Sequence, residues 1–146
     1  MSTAAATYFE DIEVGKEEVT PALTLTEAHV ALYRGLTGEP NDDPSAVPDL
    51  LPLCLSTGLG GRMARPPLVV LALMSFEWKT HRALRVGDTI HNHSRAAVKR
   101  SMREGGVFME DHEIIDQHGE VVQSGRLVFL LAKRTVARAS ASAPTG

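Results

Sequence analysis

The stretch LLPLCLSTGLGG, residues 50–61, limits the possible folds more than any other part of the chain. At helical spacing it is apolar on nearly every side, so it predicts a helix enclosed by other elements and ended by its glycines. Pro52 falls near the first turn, where a missing N–H does little harm. Everything from Pro67 onward reads as strand. PLVVLALMSFEWKTH is rich in branched and aromatic residues, and ALRVGDTI adds a turn and the start of a new strand. Three long strands are expected at about 90–99, 106–116 and 121–133, the last two joined by a hairpin at Gln117-His118-Gly119. Cys54, between Leu53 and Leu55, is expected to be a small buried hydrophobe.

An earlier helix is predicted from Thr24-Leu25-Thr26-Glu27, which has the spacing of a capping box, to about Gly35. Ala28, Ala31, Leu32 and Gly35 share one side and predict a packing face, with His29 and Tyr33 on a neighbouring strip. The chain has 146 residues, enough for one domain and too few for two. The domain is predicted over 1–134, and the small polar residues of 135–146 predict a disordered tail. A net charge of -3 gives no broad attraction to nucleic acid, and no stretch approaches a membrane span. A soluble cytoplasmic protein is the expectation.

Three segments, YFEDIEVGKE, TGEPN and FEWKTHRALRVGDTI, resemble the MaoC family of hydratases and dehydratases. The resemblance runs from about Tyr8 to Arg134. It implies an α+β single hot-dog domain, a long antiparallel sheet wrapped around a central helix, and it agrees with the periodicity above. It also implies acyl-CoA or acyl carrier protein thioesters as substrates, no cofactor, and a homodimer or a heterodimer with a related subunit. The family loop reads D-x-N-P-x-H, and its Asp and His handle one water molecule. Here Glu39 stands at the Asp position, Asp42 at the loop proline and Pro44 at the His position. Pro48 and Asp49 stand where the family has a His-Gly pair, and the lid between loop and helix is short.

Hydration needs one group to remove a proton and another to deliver one. Glu39 keeps a carboxylate, one methylene longer, while Pro44 cannot transfer protons. Glu39, Asn41 and Asp42 are therefore the catalytic candidates in the loop, with a protonated Glu39 beside an ionised Asp42 as one conceivable pair. A solvated turn explains Asp42 and Asp43 equally simply. His29 is the candidate replacement histidine. Tyr33, Asp49 and Arg65 are candidate substrate contacts, Arg65 among several arginines suited to carrier phosphates. His91 and His93 share a strand face at a spacing zinc can use, but no third ligand can be named and no metal is expected. Three functions follow: a diverged hydro-lyase, or a related elimination, isomerisation or cyclisation; a noncatalytic subunit pairing with an active partner; and an acyl thioesterase.

Overall fold

In the computed structural model, residues 5–135 are described, so the tail expected beyond them lies largely outside. The elements are β1 (Glu17–Val19), β2 (Leu23–Thr24), α1 (Glu27–Thr37), α2 (Leu51–Gly60), β3 (Val70–Thr80), β4 (Thr89–Ser101), β5 (Gly106–Ile115) and β6 (Val121–Leu131). The sheet is antiparallel in the order β1-β4-β5-β6-β3, and β2 pairs separately with β4. The β5–β6 hairpin turns at Gly119, whose φ of 79° favours glycine. The predicted central helix and the three long strands are all present.

Alternation along β4 and β5 builds the inner face. Ile90, Asn92, Ser94 and Ala96 are buried on β4, and Phe108, Glu110, His112 and Ile114 on β5. Two apolar clusters form at opposite ends of this face. One gathers Leu25, Val30, Leu51, Ile90, Ile114 and Val122 beneath the start of α2. The other holds Phe9, Ala96, Phe108 and Leu131. In the second, the Phe9 ring occupies the space over Gly106, where an added Cβ would lie 1.9 Å from a ring carbon. Between the clusters the inner face is polar.

Three expectations need correcting. Thr24 does not cap α1; it stays extended, its hydroxyl bonded to that of Thr89 at 2.8 Å, while Leu25 enters the core with 0% exposure. The cap therefore falls two residues later, on Thr26, and α1 runs to Thr37 with a left-handed Gly38 at its end. The small-residue face of α1 does not pack within the chain either. Val30 and Tyr33 turn inward, leaving Ala28, Ala31, Leu32, Gly35 and Leu36 around an open groove. Cys54 is exposed rather than buried, because α2 presents Cys54, Thr57 and Gly58 away from the sheet.

The hairpin end is fixed by Asp116, whose side chain accepts from the amides of His118 at 2.9 Å and Glu120 at 3.0 Å and from Arg82. Burial pushes this carboxyl up, but those two amides and the Arg82 guanidinium hold it below its ordinary value of 3.8. A depressed folded value means the contribution is complete above the ordinary value and is lost as pH falls through the folded one. Asp116→Asn should thus lower the urea midpoint at neutral pH, and the gap to wild type should shrink towards about pH 3. A gap independent of pH would show that Asp116 acts by packing alone.

Candidate functional site

Arg34, in the last turn of α1, organises the loop that follows. Its guanidinium donates to the Asn41 side chain, to Asp43 O at 2.8 Å and to Ala46 O at 3.3 Å. Asp43 accepts from Ser45 N at 3.0 Å and Ser45 Oγ at 2.6 Å, and pairs with Arg85 at 3.3 Å. Those Ser45 hydrogen bonds, with Arg85 nearby, hold the Asp43 carboxyl below its ordinary value. Ala46 N donates to Asp43 O at 3.2 Å, which closes a turn with Pro44 at its second position. Proline suits that position because its φ is already set. Pro44, which the resemblance sets at the family's histidine position, thus serves as a turn-forming residue. Asn41 and Asp43 serve the loop's shape, and Asp42 is exposed with no hydrogen bond among the described residues.

Of the seven residues singled out from the sequence, Tyr33 packs against the core cluster that includes Leu51 of α2, and Glu39 and Asp49 are near enough for their charges to act on its phenol. Burial raises the Tyr33 phenol above its ordinary value of 10.0, reinforced by the Glu39 carboxylate and, further down in effect, by Cys54 and Asp49. Asp49 is positioned through its backbone. Its carbonyl accepts from Gln123 Nε2 at 2.8 Å, and Gln123 Oε1 in turn accepts from Trp78 Nε1 at 2.9 Å. No side chain caps α2 among the described residues; Leu51 N donates to Pro48 O at 3.1 Å and Pro52 has no N–H, which leaves Leu53 N as the first-turn donor for an incoming oxygen.

The other candidates lie elsewhere. His29 is drawn into the cap of α1, its Nδ1 at 3.1 Å from both Thr26 N and Thr26 Oγ1. Arg65 sits beyond the far end of α2 and pairs with Glu18 at 2.8 Å. On the outer face of the sheet, His93 lies between Glu17 at 3.5 Å and Glu113 at 3.7 Å.

The sequence reading missed a second group of functional character. Beneath the later turns of α2 is a cavity of about 250 Å³ bordered by Asn92, Ser94, Glu110 and His112. These four are 3%, 7%, 8% and 7% exposed, far more buried than such residues usually are. His112 Nδ1 lies 2.9 Å from Asn92 Nδ2, and Asn92 N donates to Thr20 Oγ1 at 2.9 Å. His112 Nε2 is 3.0 Å from Glu110 Oε2 but off the line of a hydrogen bond, so it has no partner of its own. A signal was available: in Phe108-x-Glu110-x-His112-x-Ile114 the polar pair shares the parity of two obvious core residues.

No protein-family model matches the chain, and no curated protein matches it. Solved structures do. A monoamine oxidase regulatory protein from Archaeoglobus superimposes with a TM-score of 0.79 at 22% identity, covering 88% of this chain and 95% of that one. A MaoC-like dehydratase from Rhodospirillum rubrum gives 0.67 at 15% identity, over 88% and 99%. An (R)-hydratase of A. caviae, involved in PHA biosynthesis, gives 0.68 at 18% identity, over 84% and 98%. The chain is therefore a single hot-dog domain, in the form found in MaoC-like dehydratases and (R)-hydratases.

Arg34→Met should free the loop while leaving α1 in place. Losing its three contacts should destabilise the fold by about 1–2 kcal/mol, since partly exposed hydrogen bonds each contribute modestly. Chemical denaturation would measure this, and amide exchange should accelerate in residues 41–46. Unchanged exchange there would show that the loop is held by Arg85 and Ser45 without Arg34.

Proposed function

We propose that this chain is a diverged MaoC-like hydro-lyase that interconverts 3-hydroxyacyl and enoyl thioesters, with Glu39 and Tyr33 as its proton-transfer pair. The observation that carries this reading is the Tyr33 phenol, packed against the core beside the uncapped start of α2 and within the influence of the Glu39 carboxylate. In the dehydration direction Glu39 takes the α-proton as a C=C bond forms, and Tyr33 donates to the hydroxyl that leaves as water. The Glu39 proton then returns to Tyr33. The first turn of α2 faces the thioester carbonyl, where negative charge develops. Coenzyme A or an acyl carrier protein would present the acyl group. A cytoplasmic setting goes with this reading, and no helix among the described residues is long and apolar enough to cross a membrane.

The reading includes a dimer. β3 lies at the edge of the sheet with Leu71, Leu73, Met74 and Phe76 each about half exposed, and an edge of this kind invites strand pairing. A second copy, or a related hot-dog subunit, would cover it and the open side of α2 at Cys54.

A noncatalytic subunit is the second reading. It is favoured by the commitment of Asn41 and Asp43 to loop contacts, which removes two polar groups from chemistry. The two readings separate on a panel of enoyl and 3-hydroxyacyl thioesters followed by mass spectrometry. A hydro-lyase adds or removes one water; a noncatalytic subunit leaves every member unchanged, and release of free thiol would indicate a thioesterase.

Glu39→Gln should abolish turnover, and Tyr33→Phe should lower kcat by about 10²–10⁴ with KM little changed. Because the Tyr33 phenol is raised, the wild-type rate should hold on the alkaline side until above its ordinary value of 10.0. Full activity in Glu39→Gln would remove Glu39 from the mechanism. Phe76→Glu combined with Met74→Lys should convert a dimer to monomer in light scattering, each buried apolar side chain there being worth about 1.5–3 kcal/mol. A dimer that persists would place the contact elsewhere.

A further inference from the structure

The buried polar belt on the inner face of the sheet plays no part in the chemistry at Glu39. It nevertheless has the features of a recognition site. Asn92 is fixed by Thr20 and lies against His112 Nδ1. In the shorter of the two Asn92–His112 contacts, at 2.9 Å rather than 3.3 Å, the amide donates to Nδ1. A carboxylate oxygen 3.0 Å from Nε2 likewise favours the imidazole proton on Nε2. This N–H is buried, belongs to a residue that lines the cavity and has no hydrogen-bond partner. Beside it, 3.0 Å away, the Glu110 carboxylate accepts no hydrogen bond among the described residues. A free donor and a free acceptor thus stand side by side.

One functional group satisfies both: a hydroxyl, which can accept from His112 Nε2 and donate to Glu110. A carbonyl would answer only His112, and a methylene neither. Arg65, already paired with Glu18, and the hydroxyls of Thr20, Ser56 and Thr57 also border the cavity, and the rest of the lining is chiefly apolar, with Leu68, Val70, Leu127 and Phe129 contributing. The space exists because the β4 residues paired across from His112 and Glu110 are the small Ser94 and Ala96. At ~30 Å³ per small unit, a cavity of about 250 Å³ holds roughly eight carbon or oxygen atoms. Its helix wall begins at Ser56 and reaches Gly60, so it lies about 3–9 Å along α2 from Cys54, at 1.5 Å per residue.

We propose that this cavity receives the far part of the acyl chain and that Glu110 and His112 select chains bearing a hydroxyl several carbons beyond the thioester. The assignment rests on the acyl-thioester reading above but not on its proton chemistry. The substrate class is a hydroxylated medium-length acyl thioester. The two residues are specificity determinants, touching the chain remote from the reacting carbons.

Saturated octanoyl-CoA and its 5-, 6-, 7- and 8-hydroxy derivatives test this by calorimetry, because they bind without reacting. At least one hydroxy isomer should bind about tenfold or more tightly than octanoyl-CoA, the worth of one well-made pair of hydrogen bonds. Glu110→Gln and His112→Leu should each erase that preference, and Ser94→Leu, which fills the cavity, should weaken every member. Equal binding of octanoyl-CoA and all its hydroxy isomers, or no binding by any, would overturn the proposal on the wild-type protein alone, whatever the variants do. Running the enoyl and 3-hydroxyacyl thioester panel on the wild type alongside these titrations keeps the two ideas apart. A hydroxyl preference without thioester turnover would leave the cavity assignment standing and remove the hydro-lyase, whereas turnover without a preference would remove the cavity assignment only.

Discussion

The structure depends on covering α2, a helix with almost no polar side to give to water. Burial of its Leu51, Leu53 and Leu59 supplies the main apolar gain, and the sheet curves over it to provide that burial. A sheet can cover one side only. Leu50, Cys54, Thr57 and Gly58 remain open on the other, and they share that side with the Tyr33–Glu39 group. The same incomplete covering that leaves apolar surface exposed therefore also leaves the chemistry accessible. Closing one by dimerisation would enclose the other.

The inner face of the sheet obeys packing rules at its two ends and departs from them in the middle. Ile90 opposite the Ile114–Ile115 end of β5, and Phe108 beside Phe129, make ordinary apolar contacts. Between them Asn92, Glu110 and His112 sit where branched aliphatics would pack more stably. A buried polar group left unpaired costs about 1–3 kcal/mol. Such departures from consistency concentrate at functional sites, and here the departure coincides with an empty volume. Gly125 serves the packing beside it. An added Cβ would lie 2.1 Å from Glu77 O and 2.4 Å from the Trp78 ring, so only glycine lets β3 come close enough to seat Trp78 beside His112.

Much of the fold was legible because hydrophobic periodicity reports it directly. The long strands and α2 are set by runs of residues whose spacing admits one reading. What the sequence misplaced depended on contacts between distant segments. Thr24 looks like a cap until Thr89 takes its hydroxyl, and Cys54 looks buried until the sheet is seen to cover only the opposite side of α2. Arg34 left no signature, since two of its three acceptors are backbone carbonyls nine and twelve residues away. Glu110 and His112 did leave one, in their shared parity with Phe108 and Ile114.

The loop also explains where proton chemistry can reside. Arg34 and Arg85 fix residues 41–46 through side chains and carbonyls alike, and Pro44 completes the turn. A segment held at that many points offers its polar groups to its own backbone rather than to a substrate. Glu39 escapes this because it follows Gly38, whose left-handed conformation turns the chain away from α1 before Arg34 engages it. Tyr33 is held independently, by helix and core. In the proposed function the base thus stands on a short free stretch and the acid on a rigid one, and neither depends on the position that Pro44 takes in the turn. The loop's short path from Gly38 to Leu50 places none of its residues on the cavity over the polar belt, whose helix wall begins only at Ser56.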